Sequence, residues 1–183
     1  MPSLVDILKL SKTISHALRH EPWLYELELD DEGWTSLSTL LESLRGKGGC
    51  WKGLSRQHVE SMIVSSDKVR YEVRGEKIRA LYGHSLPGKL KRTAAVPPTL
   101  LYHGTSPEAA EVIRRVGLRP MRRQYVHLSS DRPTADQVGR RKSRAPVVLA
   151  VAAKAAHTKG VAFYKGNEKV WIADLIPPEF IQG

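Results

Sequence analysis

Among 183 residues there is one cysteine, Cys50. That excludes an internal disulfide and any metal cage built on several cysteines. It also fits a cytoplasmic chain, where thiols stay reduced. Long apolar runs are missing too: nothing approaches the ~18 consecutive apolar residues of a membrane-crossing helix. The first stretch, "MPSLVDILKLSKTISHALRH", lacks a basic start, an apolar centre and a small-residue cleavage site, so it reads as mature protein and not as a signal peptide. Nucleotide-binding and hydrolase signatures are absent as well. There is no Gly-x-Gly-x-x-Gly and no Walker lysine loop. There is no metalloprotease helix motif and no Gly-x-Ser-x-Gly elbow. These absences argue against a Rossmann dehydrogenase and a P-loop enzyme.

What is present is ordinary in composition and unusual in charge. Apolar residues make up 41% and charged residues 26%, the balance of a globular protein. The net charge is +10, a surplus that favours polyanionic partners such as nucleic acid. Residues 1–95 hold 15 basic and 12 acidic residues, and residues 96–183 hold 14 and 7. Both halves are therefore positive, the second more so.

A seam divides the chain. "GKLKRTAAVPPT", residues 88–99, has no apolar period, and its Pro-Pro pair can neither continue a helix nor sit inside a ladder. We read a first lobe over 1–93 and a second over 98–183. In the first, residues 4–20 put Ile7, Leu10, Ile14, Ala17 and Leu18 on one helical face, and Pro22 ends that helix. "TSLSTLLESLRGKG" predicts a second helix with Thr35 or Ser36 as N-cap, Leu37, Leu40, Leu41 and Leu44 buried, and Gly46 just past its end. "SRQHVESMIVSS" predicts a third, capped by Ser55. A period of two follows: Val69, Tyr71 and Val73 alternate with Arg70, Glu72 and Arg74, Gly75 turns, and Ile78, Ala80 and Tyr82 complete a hairpin. Three helices and a hairpin suggest a winged-helix-like lobe with a basic hairpin face of Arg70, Arg74, Lys77 and Arg79. After the seam come a strand "TLLYHGT", a helix "SPEAAEVIRRVG" with Ser106 as N-cap and Gly117 past its end, and a strand "QYVHLS". A helix over "DRPTADQVGRRK" and a strand "APVVLAVAA" buried on both faces follow. Two more strands, "VAFYKG" and "KVWIADLI", lead to Pro177-Pro178, which closes the set. The fold class is α+β.

Several short stretches carry possible chemistry. Arg19 and His20 close the first helix, where positive charge complements the helix dipole whether or not a ligand binds. Arg70 and Arg79 either solvate a hairpin face or contact phosphate, whose oxygens a guanidinium fork matches. His84 and Ser85 end the same hairpin and can donate to an anion. "LYHGT" and "YVHLS" each place a histidine, His103 and His127, near the end of an apolar strand. Gly104 lets a ligand approach the backbone. Tyr125, His127 and Ser129 share one strand face.

Together these motifs resemble the RNA 2′-phosphotransferase family, over roughly residues 8–181. "LSKTISHALRHEP", "LDDEGWTSLSTLL", "DKVRYEVRGEKIRALYGHS", "LYHGTSPEAAEVIRRVGLRPMRRQYVHLSSD", "ADQVGRR" and "VWIADLIPPEFI" carry the likeness, in order and spacing. The resemblance implies a winged-helix-like lobe that helps hold RNA, and a second lobe similar to the NAD-binding core of ADP-ribosyltransferases. It implies NAD as co-substrate, no metal, and an internal 2′-phosphate of RNA, such as a tRNA splice junction, as the other substrate. His103, Gly104 and Thr105 would hold the nicotinamide riboside of NAD, with His127 and Ser129 lining the same place. The family's Arg-His-Arg-Arg set falls on Arg19, His20, Arg70 and Arg123. Arg123 fits better than Arg122 because it lies four residues before His127, with Met121 two before it. Arg79, His84, Ser85, Arg140, Lys142 and Arg144 are expected to contact RNA or its phosphates. A monomer is expected. Many members carry a histidine where this chain has Tyr125. Protein ADP-ribosyltransferases use a late glutamate, but the comparable strand here offers Val170, with Glu168 before it.

The implied reaction has two steps, attack of the RNA phosphate on the NAD ribose and then release of the RNA. Two rivals use the same sequence. One is an ADP-ribosyltransferase that caps terminal phosphates of RNA or DNA and stops after the first step. The other is a non-catalytic winged-helix nucleic-acid binder, for which the third helix offers only Arg56 and His58 as readers.

Overall fold

A computed structural model describes residues 5–183. It is a mixed α and β chain with two antiparallel sheets and, among the described residues, six α-helices. The chain divides into two compact units, Met1–Lys91 and Arg92–Gly183.

In the first unit, α1 runs Ile7–Arg19. It begins where Asp6 accepts from the N–H groups of Leu8 (2.9 Å) and Lys9 (3.1 Å), satisfying donors that have no partner in the first turn. Residue 4, where the apolar spacing begins, lies outside the described residues. Leu10, Ile14, Ala17 and Leu18 are fully buried, each leucine or isoleucine adding roughly 1.5–3 kcal/mol. Pro22 ends α1 and opens a 3₁₀ turn, Pro22–Tyr25. A two-residue strand β1 (Thr35–Ser36) leads into α2 (Leu37–Gly46), and Ser36 caps it by accepting from Thr39 N–H at 3.3 Å. Gly46 is the last helical residue and not the one beyond it. The reversal falls to Gly48, at φ 71°, where a side chain would be strained. α3 (Arg56–Val64) follows, with Ser55 as its N-cap. Then come β2 (Tyr71–Arg74) and β3 (Lys77–Ala80), joined through Gly75 at φ 57°. The sheet order is β1-β3-β2. Tyr71, Ile78 and Ala80 turn inward onto the leucines of α1 and α2 and onto Val59 and Met62 of α3.

The second unit is built on a six-stranded antiparallel sheet in the order β7-β8-β5-β4-β6-β9. Its strands are β4 (Leu101–Thr105), β5 (Val126–Ser129), β6 (Val147–Val151), β7 (Phe163–Lys165), β8 (Val170–Ala173) and β9 (Ile181–Gln182). α4 (Pro107–Val116) starts at Ser106, which accepts from Ala109 N–H at 3.2 Å, and stops at Gly117, φ 83°. α5 (Arg132–Gly139) is capped by Asp131, which accepts from Thr134 N–H at 2.7 Å. α6 (Ala153–Thr158) follows β6 directly.

Three expectations are corrected here. β6 alternates: Leu149 and Val151 are buried while Val148 and Ala150 are partly exposed. The reason is that β6 lies one strand from the sheet's edge, covered by the short β9 at Ala150 and Val151 only. The Pro-Pro pair does not close the set either: Pro178 opens a 3₁₀ turn that delivers β9 to that edge. The seam is also shorter than its composition suggests. Lys91 N–H donates to the Asp31 carbonyl within the first unit, and Ala95 N–H donates to the Phe163 carbonyl within the second.

Candidate active site

In the first unit the end of α1 is held by the segment that follows the hairpin. Arg19 is the last residue of α1, and its guanidinium carbon lies 5.0 Å from the Tyr82 ring centre and 5.7 Å from that of Tyr71. Gly83 sits at φ 87°, and a side-chain carbon there would meet Arg19 Nη1 at 3.4 Å. Ser85 N–H donates to the Arg19 carbonyl at 2.9 Å, and Ser85 Oγ lies 2.7 Å from His20 Nδ1. His16, one turn before His20, bonds through Nδ1 with the Tyr25 hydroxyl at 3.0 Å and pairs through Nε2 with Glu21 at 2.7 Å. The spacing of His16 and His20, four apart on one face, was the available signal for that neighbour.

The other expected residues of this unit divide. Arg70 lies just before β2 and donates through Nη1 to Ser66 Oγ at 3.0 Å. Arg79 is committed inside the hairpin. The register sets Glu72 opposite Arg79. Arg79 bonds Glu72 through Nε (2.9 Å) and Nη2 (2.8 Å), and its guanidinium lies 4.4 Å from the Trp34 ring centre. Burial pushes the Glu72 carboxyl up, but Arg79 and then Arg74 outweigh that and hold it below its usual range. The hairpin face is thus a paired network and not a row of bare cations. His84 is buried, at 3% exposure, beneath Gly33.

In the second unit β4 and β5 are paired at one position only, Tyr102 with Ser129, whereas β4 and β6 pair along five. His103 reaches towards β5: its Nδ1–H donates to the His127 carbonyl at 3.0 Å. Because a carbonyl only accepts, this fixes the proton on Nδ1 and leaves Nε2 as an acceptor while the ring is neutral. Burial pushes the His103 pKa down to about 4; the bond to His127 opposes this, and the positive charge of Lys142 adds to it. The ring is therefore neutral at ordinary pH. His127 repeats the device, its Nδ1–H donating to the Tyr125 carbonyl at 3.0 Å. Thr105 and Ser129 are buried, at 1% and 6% exposure.

Gly104 also has a packing reason to lack a side chain. A side-chain carbon there would land on the Ala135 carbonyl of α5 and 2.9 Å from Gly139 N. Its bare face admits the backbone of α5, and Gly139 is the matching small residue, with Thr105 N at 3.2 Å. The C-terminal end of α5 then runs straight into Arg140, Arg141, Lys142 and Arg144, all exposed. Arg140 is held by Asp136 at 2.6 Å. Lys142 has its ammonium pushed down in pKa by partial desolvation and by Arg123. Lys142 thus interacts electrostatically with both Arg123 and His103, two cations and a neutral ring linked through one ammonium. Tyr125 is buried, packed edge-on against Tyr164 at 5.2 Å, and Tyr164 donates to Asp174 at 3.2 Å. Burial and then the Asp174 charge raise the Tyr125 pKa, Arg92 opposing, so the phenol stays neutral. Sequence reading missed Tyr82, Glu72 and Asp174. Glu72 becomes informative only through pairing across the hairpin, Tyr82 through its contact with Arg19, and Asp174, just after β8, through its bond with Tyr164. Among the described residues, no group of three or more His, Cys, Asp or Glu is placed to hold a metal ion, and no helix is long and apolar enough to cross a membrane.

Comparison with known proteins gives one consistent result. The family model described as "RNA 2'-phosphotransferase, Tpt1 / KptA family" matches residues 6–175. A protein of Acetivibrio thermocellus is 50% identical over 179 residues, covering 98% of each chain. One of Bacillus thuringiensis subsp. konkukian is 52% identical over 172 residues, 94% of this chain and 92% of that one. One of Pyrococcus horikoshii is 39% identical over 175 residues, 96% and 97%. Each of the three is named "Probable RNA 2'-phosphotransferase".

Proposed function

We propose that this chain, which belongs to the RNA 2′-phosphotransferase family, moves an internal 2′-phosphate of RNA to NAD. A tRNA splice junction is one such RNA. The products are RNA with a 2′-hydroxyl, nicotinamide and ADP-ribose 1″,2″-cyclic phosphate. In this reading the first unit is a winged-helix-like lobe that helps hold RNA, and the second is an ADP-ribosyltransferase-like lobe that holds NAD.

The observation that carries the reading is the state of His103. A neutral imidazole with Nδ1–H tied to a backbone carbonyl presents a lone pair at Nε2. That suits a ribose hydroxyl, which donates, and does not suit a phosphate oxygen, which accepts. Beside it, Lys142 and Arg123 supply the positive charge that pyrophosphate or a 2′-phosphate needs. Thr105 and Ser129 add short polar groups on strands next to His103. A sugar-reading histidine beside an anion-reading pair is the recognition problem that a dinucleotide co-substrate and a phosphorylated RNA pose.

The chemistry needs no general base in its first step. A phosphate monoester has a second pKa of about 6, so its oxygen is already nucleophilic near neutral pH. That oxygen forms a bond to C1″ of the nicotinamide ribose, and the bond to nicotinamide breaks, with the electron pair leaving on neutral nicotinamide. In the second step the 2″-hydroxyl attacks phosphorus. Its proton passes to His20, the bond from phosphorus to the RNA 2′-oxygen breaks, and that oxygen takes a proton back. Arg19 and Arg70 are assigned to the phosphoryl oxygens, where a guanidinium neutralises charge as it builds.

The test is to incubate the protein with NAD and a short RNA bearing one internal 2′-phosphate, then weigh the products. Loss of phosphate from RNA together with ADP-ribose cyclic phosphate is the expected result. RNA that keeps an added ADP-ribose would restrict the activity to the first step, as in a terminal-phosphate capping enzyme. RNA and NAD both unchanged would overturn the reading.

A further inference from the structure

The segment Tyr82–Ser85 touches the end of α1 at four points. The Tyr82 ring lies against the Arg19 guanidinium at 5.0 Å. Gly83, at φ 87°, leaves its bare α-carbon against the same group, 3.4 Å from Nη1 to where a side chain would begin. Ser85 N–H donates to the Arg19 carbonyl at 2.9 Å. Ser85 Oγ lies 2.7 Å from His20 Nδ1. The backbone bond and the side-chain contact come from one residue. The backbone bond fixes the Ser85 main chain beside the peptide that carries His20, so that one χ1 rotamer of Ser85 sets its hydroxyl on His20 Nδ1. Ser85 was expected to contact RNA or its phosphates. In this structure its hydroxyl meets an imidazole.

From this geometry we infer that Ser85 is a positioning residue that holds the proton of neutral His20 on Nδ1, so that Nε2 carries the lone pair that takes the proton in the second step. The inference rests on the role given to His20 above. The physical reason is the difference between the two ring nitrogens. A free neutral imidazole prefers its proton on Nε2, and the hydrogen bond made by one nitrogen decides the state of the other. A serine hydroxyl can donate or accept; in the state inferred here Ser85 Oγ accepts Nδ1–H, a bond that survives protonation of the ring, whereas a donating hydroxyl would lose its acceptor. The ring then passes between base and acid at Nε2 without turning. The first step uses an oxygen that is already ionised, so it does not depend on this arrangement.

The test compares the protein with its Ser85→Ala, Ser85→Thr and His20→Ala variants, and with the double variant. The substrates are NAD and an RNA carrying one internal 2′-phosphate, followed in single turnovers. In Ser85→Ala the first step is expected to hold within about twofold. The second should slow about tenfold, the effect of one hydrogen bond, and ADP-ribosylated RNA should build up. Ser85→Thr restores the hydroxyl and is expected to restore the second step. The double variant should be no slower than His20→Ala, because the serine acts only through the histidine. An imidazole nitrogen spectrum of the protein alone gives a second readout: neutral His20 should carry its proton on Nδ1, and in Ser85→Ala it should move to Nε2. A neutral His20 protonated on Nε2 in the unaltered protein overturns the inference. So does a Ser85→Ala variant that slows the first step, or weakens RNA, with the second step intact, since that marks a phosphate contact. If the tautomer shifts as expected but no phosphate leaves the RNA in any form of the protein, the reading of the reaction fails and the positioning by Ser85 stands.

Discussion

Replacing Gly104 by alanine adds one methyl group at the tightest place in the second unit. The added carbon would fall on the Ala135 carbonyl, and 2.7 Å from Ala135 C and 2.9 Å from Gly139 N. All three are backbone atoms of α5, so no side chain can swing aside, and the helix itself must withdraw from β4. Gly104 does not lie at positive φ, so an alanine there meets no conformational penalty of its own and the cost is steric. Overpacking of this kind costs about 1–3 kcal/mol, and backbone against backbone belongs at the upper end. Withdrawal of α5 would also displace the stretch from Arg140 to Arg144 that it feeds, and Lys142 with it. Urea unfolding of Gly104→Ala should therefore show a loss of about 2–3 kcal/mol, together with weaker RNA binding. Gly46→Ala makes the control, since nothing lies within 4 Å of its added carbon and it is the last helical residue of α2. It should gain up to about 1 kcal/mol from helix propensity and chain entropy. If Gly104→Ala unfolds within about 0.5 kcal/mol of the original protein yet no longer binds NAD, the reasoning is refuted. The glycine then serves the ligand directly, as its sequence context first suggests.

Other outcomes follow from the charges. His103 titrates near 6.5 when unfolded and at about 4 when folded, so between those values only the unfolded chain gains the proton. Stability should fall as pH drops through that window, by about 1.4 kcal/mol per pH unit for this one group. His103→Asn should remove about one proton from the slope of stability against pH, and equal slopes would refute the assignment. Arg79→Ala should act on stability, with a loss of about 1–3 kcal/mol from its bonds to Glu72, and leave the salt dependence of RNA binding unchanged. Lys142→Ala should do the reverse, lowering the slope of log affinity against log salt by about one. A shared pattern for the two variants would contradict the separation of paired from ligand-facing cations.

Much of the fold can be read from short-range chemistry. Asp6, Ser36, Ser55, Ser106 and Asp131 cap helices, and each lies directly before an apolar period or a proline. The helical spacing of Leu10, Ile14, Ala17 and Leu18 gives the buried face of α1. What escapes local reading is whatever exists through a partner. β1 and β9 are two residues each and are strands only because β3 and β6 lie beside them. α6 hides behind the apolar run of β6, whose alanines suit either state. The site divides the same way. Arg19 and His20 are visible as a charged helix end, but the segment Tyr82–Ser85 that grips them is distant in sequence, Ser85 lying 65 residues from His20. The basic hairpin face is visible as four cations, but Glu72 sits within it and binds Arg79.

The charge around the expected anion site of the second unit is held by groups that do not titrate with the substrate. Tyr125 stands where the resemblance places a histidine in many relatives, and it is turned into the cluster with Tyr164 and Asp174, where it stays neutral. A histidine there would lose its positive charge over the same range, near pH 6–7, in which a phosphate monoester gains its second negative charge. Attraction would then be strongest where the nucleophile is least formed. A guanidinium is charged throughout that range, and Arg123 acts electrostatically on Lys142, whose pKa desolvation and then Arg123 lower. His103, which interacts with Lys142, is already neutral and contributes a lone pair and no charge. Attraction for the phosphate should therefore grow with its ionisation and not cancel against it. First-step rate plotted against pH should rise through a single ionisation near 6, that of the phosphate, and then stay level. A fall between pH 7 and 8 would mean that a titrating imidazole, and not the Arg123–Lys142 pair, supplies the charge.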